Sequence, residues 1–228
     1  YQININKSAF QSFINQGFIS APLTIEDGIN QLMPGHYLEI KYSDINQLET
    51  SNLRPIKWWD PAEISQNECQ LIINDEKLII NEVKKSLYRS VKEKKISDVP
   101  LGVFLSSGID SSLICSLLVN SSTEPVNSFT ISFPDNNQGE LGFDEGPAAK
   151  MIASYLGTKH NEVALSSSDL IKIIPSLSNI YSEPFADSSQ IPTHLICREA
   201  FRNDLKVILS GDGADELFGG YNRHYLIP

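Results

Sequence analysis

Two short stretches hold the residues best suited to chemistry. In the first, Ser106-Ser107-Gly108-Ile109-Asp110-Ser111-Ser112 follows the apolar run Leu101 to Leu105 and precedes the helical pattern Leu113 to Val119. A strand, a turn of small residues and a helix form an anion site, because the first helical N–H groups are unpaired and the helix dipole is positive there. Phosphate is the expected guest. The loop has no lysine, so it is not the G-x-x-x-x-G-K-S/T nucleotide loop. Asp110 suits a phosphate neighbour only if a divalent cation sits between carboxylate and phosphate oxygens. The bland alternative is that Asp110 and Ser111 merely cap the helix. In the second stretch, Val207 to Tyr221 (V-I-L-S-G-D-G-A-D-E-L-F-G-G-Y), four glycines surround Asp212, Asp215 and Glu216. Glycines cost chain entropy, and crowded carboxylates repel unless a cation, a basic group or a proton relieves them. Asp215 is the natural second ligand for a cation at Asp110; a solvated acidic turn is the alternative. Tyr221 reads equally as packing or site residue, and His36, His160, His194 and His224 have no metal-ligand spacing.

Both stretches need strands to carry them. Leu101 to Leu105, Val126 to Phe133, His160 to Leu165 and Lys206 to Ser210 read as strands. Between them helical patterns occur at Glu145 to Leu156, closed by Gly157, at Ser168 to Tyr181 and at Ile191 to Phe201. Alternation predicts an α/β fold, a parallel sheet flanked by helices with right-handed crossovers. If the two turns leave neighbouring strands, they face each other across the carboxyl edge, where such sheets bind ligands. Apolar residues recurring from Asn67 to Val91 predict one long amphipathic helix. Residues 1–60 differ in texture, being rich in Asn and Gln, and are expected to form a small partial α+β segment. Within it Ile25 to Ile40 reads as a helical turn, a Pro34-Gly35 turn and a short strand.

The balance of 28 acidic against 18 basic residues, a formal charge of −10 over 228 residues, excludes a general nucleic-acid or anionic-membrane binder. Cys69, Cys115 and Cys197 lie far apart, and Cys115 and Cys197 sit in apolar patterns where reduced, buried thiols are expected. No apolar run reaches the roughly 18 residues of a membrane span, and the start has no signal-peptide pattern. The cytoplasm is therefore the expected location. The missing initiator Met and an end directly after a helix-like stretch suggest a piece of a longer protein.

S-S-G-I-D-S-S resembles the S-G-G-x-D-S loop of the PP-loop ATP pyrophosphatases, and S-G-D-G-A-D-E-L-F-G-G-Y resembles the matching motif of the asparagine synthetase family. F-T-I-S-F, F-D-E-G-P-A-A-K-M-I-A-S-Y-L-G-T-K-H and E-P-F-A-D-S-S follow in the family's order. Q-L-M-P-G-H-Y-L-E-I and W-W-D-P look like the tail of its N-terminal glutaminase domain. The resemblance implies an adenine-nucleotide alpha-hydrolase-like fold, with residues 1–60 a remnant of the class II glutamine amidotransferase domain and residues 61–228 a truncated ATP-binding domain. It implies an enzyme that adenylates the aspartate side chain with ATP and Mg²⁺, releases pyrophosphate, and amidates the product with ammonia from glutamine. Carried over residue by residue, Ser106, Ser107, Gly108, Asp110 and Ser111 hold pyrophosphate, Asp110 and Asp215 bind Mg²⁺, and Leu105, Ile131, Ser210 and Gly211 flank adenosine. Asp212 is the base for incoming ammonia. The implied partners are small molecules, with a homodimer of the full-length protein as a further expectation. Ser107 stands where the commonest loop has glycine, Asp212 is one methylene shorter than the usual glutamate, and the family's N-terminal nucleophilic cysteine has no counterpart. Two other readings remain at this point: an amidotransferase acting on another carboxylate, and a non-catalytic nucleotide-binding module.

Overall fold

The structure, a computed structural model, describes residues 4–43, 53–68, 75–133, 144–222 and 224. The chain divides into two compact units. One comprises Tyr1–Asp75 with Ser178–Asp187, the other Glu76–Leu177 with Ser188–Pro228.

The first unit opens with helix α1, Lys7–Gln16. Its ends are written in the sequence: Asn6 Oδ1 accepts the N–H groups of Ser8 and Ala9 at 3.0 and 3.1 Å, and Gly17 closes the helix at φ 81°. Strands β1 (His36–Tyr37) and β2 (Ile56–Lys57) pair antiparallel, after the expected Pro34-Gly35 turn, where Gly35 has φ 69°. The helical turn expected from Ile25 is absent. That stretch is a bend and turn with Gly28 at φ 83°, and Glu26 bridges to Ile5. From the distant segment, the Glu183 Oε2 atom accepts the Ile25 N–H at 2.8 Å and the Ala186 N–H donates to the Gly17 carbonyl at 2.6 Å.

Helix α2 (Pro61–Glu68) ends two residues into the helix expected over Asn67 to Val91, and helix α3 (Glu76–Lys94) carries the greater part of it. Residues 69–74, including Cys69 and Leu71, lie outside the described residues, as does the loop expected after Phe133 at 134–143. The second unit then runs β3 (Leu101–Phe104), α4 (Ile109–Asn120), β4 (Asn127–Ser132), α5 (Gly146–Leu156) and β5 (Lys159–Ala164). Helix α5 ends on Gly157 in the left-handed region at φ 70°, as its sequence predicts. The single helix expected over 168–181 is instead α6 (Ser167–Ile173), a 3-10 turn at Ile174–Ser176 and α7 (Leu177–Ile180). Pro175 sits at the break, where it lacks an N–H to continue the α-helical ladder. Helix α8 (Gln190–Arg202), strand β6 (Val207–Leu209) and the short helix α9 (Ala214–Phe218) follow.

The sheet has the order β5-β4-β3-β6 and every pairing is parallel. Both faces are covered. On one, Val103, Leu105, Val126 and Val91 pack with Cys115 and Leu118 of α4 and Ala149 and Ala153 of α5. On the other, Phe129 packs with Ile196, Ala200 and Leu205, joined by Phe104, Ile131, Val163 and Ile208. Such two-sided burial accounts for the near-continuous apolar character of β3 and β6. Cys115 is buried and its thiol is pushed up to about 11 by desolvation. Cys197, expected buried, is exposed, because Leu195, Ile196 and Ala200 form the inward stripe of α8 and position 197 falls off it. No helix among the described residues is long and apolar enough to cross a membrane.

Candidate functional site

Strands β3 and β6 are hydrogen-bonded neighbours, with Leu101 opposite Val207 and Val103 opposite Leu209. Each ends in one of the two turns. The chain leaves β3 for β4 on one side and later returns to β6 on the other, so the turns lie at the carboxyl edge where strand order reverses.

The first turn is held by its own hydroxyls. The Ser106 N–H donates to Ser111 Oγ at 3.0 Å, the two serine hydroxyls are 2.8 Å apart, and the Gly108 N–H donates to Ser106 Oγ at 3.1 Å. Ser112 Oγ donates to the Gly108 carbonyl at 2.7 Å. The N-cap of α4 is Gly108, with no side-chain cap, and Asp110 lies in the first helical turn. The capping alternative therefore fails: neither Asp110 nor Ser111 is the cap. The N–H groups of Ile109, Asp110 and Ser111 are left without intrahelical partners at the positive end of the helix. Ser107 is exposed, and its backbone is not left-handed, since Asp204 (φ 59°) is the non-glycine residue with positive φ among the described residues. A serine in place of the commoner glycine is accommodated without backbone strain.

The second turn lies against the first. A Cβ built on Gly211 would stand 2.9 Å from the Ser111 nitrogen, 3.0 Å from Asp110 Cβ and 3.1 Å from the Asp110 carbonyl carbon. Only glycine permits this approach. Ser210 Oγ donates to Asp212 Oδ2 at 2.9 Å, and Tyr221 OH donates to Glu216 Oε1 at 2.7 Å, which gives Tyr221 a polar role beside its edge-to-face contact with His224. Two of the second turn's three carboxylates are thus engaged. The third, Asp215, and Asp110 across the turns are half-buried and have no hydrogen-bond or ion-pair partner among the described residues.

Two predicted residues sit differently from their neighbours. Leu105 is 2% exposed, its side chain lies in the core and its N–H donates to the Phe129 carbonyl at 2.8 Å. Ile131 is partly buried against the Phe129 cluster on the opposite face. Two grooves, of about 600 Å³ beside Thr24 and Glu183 and about 380 Å³ beside Ile79 and Phe218, are lined by none of the predicted site residues. Sequence reasoning missed the role of Gly220, whose backbone packs directly on Asp215; the Gly219-Gly220 pair was the available signal.

Away from these turns, Ser128 Oγ pairs with Thr158 Oγ1 at 2.8 Å and with His160 Nδ1 at 2.9 Å. Burial holds the His160 imidazole below its ordinary value of 6.5; Glu162 opposes that shift and Lys150 adds to it.

The sequence profile described as asparagine synthase matches residues 82–227. A protein of Methanocaldococcus jannaschii named as a glutamine-hydrolyzing asparagine synthetase homologue is 35% identical over 222 residues, covering 97% of this chain and 39% of the relative. Glutamine-hydrolyzing asparagine synthetase 1 of Bacillus subtilis is 30% identical over 223 residues, covering 96% and 32%. Among solved structures, an NH3-dependent NAD synthetase from Campylobacter jejuni, in complex with nitrate ion, is similar with a TM-score of 0.39 and 16% identity, over 62% of this chain and 60% of that one. The chain spans between about a third and two fifths of the curated relatives it matches. With the profile covering well over half of its length, the chain belongs to the asparagine synthase family.

Proposed function

We propose that this chain carries the adenylating centre of a glutamine-hydrolysing asparagine synthetase, a C–N bond-forming ligase of amino-acid biosynthesis that uses ATP, aspartate and glutamine-derived ammonia. The supporting observation is the abutment of the two turns: Gly211 rests on Asp110 and Ser111, beside a helix N-terminus with unpaired N–H groups and no side-chain cap. In this reading residues 1–60 are the tail of the glutaminase domain and residues 61–228 the ATP-binding domain.

The unpaired N–H groups of Ile109, Asp110 and Ser111, with the hydroxyls of Ser106 and Ser111, take the β- and γ-phosphoryl oxygens as the aspartate carboxylate attacks the α-phosphorus and the bond to pyrophosphate breaks. Donors already fixed in place stabilise charge on the leaving group without reorganising. Ser107, Ser210 and Gly211 border the nucleotide through exposed or close-packed backbone. Leu105 contributes through its main chain, because its side chain belongs to the core, and Ile131 closes the adenosine end.

The donor set suits Mg²⁺. Asp110 and Asp215 are the two carboxylates in the turns left without partners among the described residues, and this hard cation is held by one or two carboxylates with the remaining positions filled by phosphate oxygens and water. When bound it neutralises charge on the polyphosphate. Asp212, oriented by Ser210, takes a proton from ammonia as its nitrogen attacks the acyl carbon of the adenylate and AMP departs. The full-length enzyme is expected to work in the cytoplasm on small molecules, as a homodimer.

The test is pyrophosphate release by the full-length protein supplied with ATP, Mg²⁺, ammonia and aspartate. Aspartate-dependent release is expected, with Asp110→Asn lowering it at least ~10-fold through loss of a metal ligand. Release only with another carboxylic acid reassigns the acceptor. No release with any acid refutes adenylation.

A further inference from the structure

The Asp215 carboxylate lies directly on the backbone of Gly220. A Cβ built on Gly220 would fall on Asp215 Oδ1 and come within 2.9 Å of Asp215 Cγ. The same short segment is clasped by main-chain bonds: the Gly219 N–H caps α9 on the Asp215 carbonyl, and the Gly220 N–H donates to that carbonyl at 3.0 Å. Gly220 does not have a positive φ, unlike Gly219 at 71°. The need for glycine at 220 is therefore steric and directed at one carboxylate, whereas the need at 219 is conformational.

We infer that Gly220 is a positioning residue for Asp215, setting where its carboxylate can point. The inference rests on the reading of Asp215 as a ligand of the catalytic cation. An added methyl at 220 meets chiefly the far end of a flexible side chain, with the Asp215 Cα also close at 3.3 Å, so the fold adapts mainly by swinging that side chain aside and the change falls on carboxylate placement. A ligand displaced in this way weakens the metal as loss of an orienting partner does, by about 10- to 100-fold.

The experiment is Mn²⁺ binding to the full-length protein in the presence of a non-hydrolysable ATP analogue, followed by electron paramagnetic resonance, for wild type, Gly220→Ala, Asp215→Asn, the double variant and Gly219→Ala. The expected result is an Mn²⁺ Kd raised about 10-fold or more by Gly220→Ala, a larger rise for Asp215→Asn, and no further rise when Gly220→Ala is added to Asp215→Asn. Gly219→Ala, which strains a left-handed backbone at φ 71° but whose Cβ would meet only His224 atoms at 3.6 Å and beyond, reports the effect of turn strain alone and raises the Mn²⁺ Kd less than Gly220→Ala does. Wild-type affinity in Gly220→Ala alongside weakened binding in Asp215→Asn overturns the positioning role and leaves the metal assignment standing. Equal weakening in the two glycine variants also overturns it, by showing general loosening of the turn. Wild-type affinity in Asp215→Asn overturns the metal assignment and the inference together.

Discussion

The most exacting perturbation of the site is a single methyl group at position 211. Gly211→Ala sets a carbon 2.9 to 3.1 Å from three atoms of Asp110 and Ser111, two of them backbone, where comfortable carbon contacts begin near 3.5 Å. The turns must separate by roughly 0.5 Å or more, since backbone in the first turn of a packed helix has no rotamer by which to yield. Overpacking of this kind costs about 1–3 kcal/mol. A misplacement of about 1 Å at a reacting centre costs on the order of 100-fold in rate, so half that displacement predicts a loss of about 10-fold or more in kcat/KM for ATP. The assay is pyrophosphate release by the full-length protein over an ATP titration, run beside Gly213→Ala. Gly213, unlike Gly211, has positive φ, at 90°, and open space around its Cβ position, so that variant strains the backbone without driving the turns apart. Gly211→Ala with wild-type kcat/KM, or with a loss no greater than that of Gly213→Ala, would refute the claim that turn abutment builds the site.

Two further outcomes are expected. His160 has a folded pKa below its ordinary 6.5, so the unfolded chain takes up the proton first as pH falls; its contribution is intact above 6.5 and drains as pH drops through that value toward the folded pKa. Thermal melting between about pH 7.5 and 5.5 should show a declining midpoint that His160→Gln flattens, and an unchanged slope in that variant would refute the assignment. Phe129, with no exposed surface, sits at the centre of the β4–α8 layer, and Phe129→Ala should cost about 3–5 kcal/mol by urea denaturation.

Much of the second unit could be read from the sequence because its periodicities and punctuation agree. Four apolar runs became the four parallel strands, and Gly157 stopped α5 where expected. The adjacency of the two motif strands followed from the pairing of chemically complementary turns, and β3 and β6 are indeed neighbours. What escaped notice depended on single residues overriding a pattern. Pro175 split a helix that apolar spacing alone made continuous. Helix α1 is not among the sequence-based expectations although Asn6 and Gly17 mark both its ends and its apolar residues fall at helical spacing; its ten residues are rich in Asn, Gln and Ser, the composition that set residues 1–60 apart. Position 197 shows the limit of composition: an apolar neighbourhood predicted a buried thiol, yet a one-residue offset on a helix turns a side chain by about 100°. The contacts of Gly211 and Gly220 are invisible in sequence, because glycine spacing signals close approach without naming what approaches.

The strand order also sets a timetable. Pairing Gly102 with Asn127 closes a loop of about 25 residues, whereas pairing Leu101 with Val207 closes one of roughly a hundred. By chain-closure entropy the second contact is harder to form by roughly 1 kcal/mol, and during synthesis β6 emerges after β3, β4 and β5. The edge of β3 that β6 will occupy stays open through that interval, a four-residue strand, Leu-Gly-Val-Phe, able to pair with another chain. The two turns meet when that edge closes, so the approach of Gly211 to Asp110 and Ser111 depends on the pairing of highest sequence separation in this sheet.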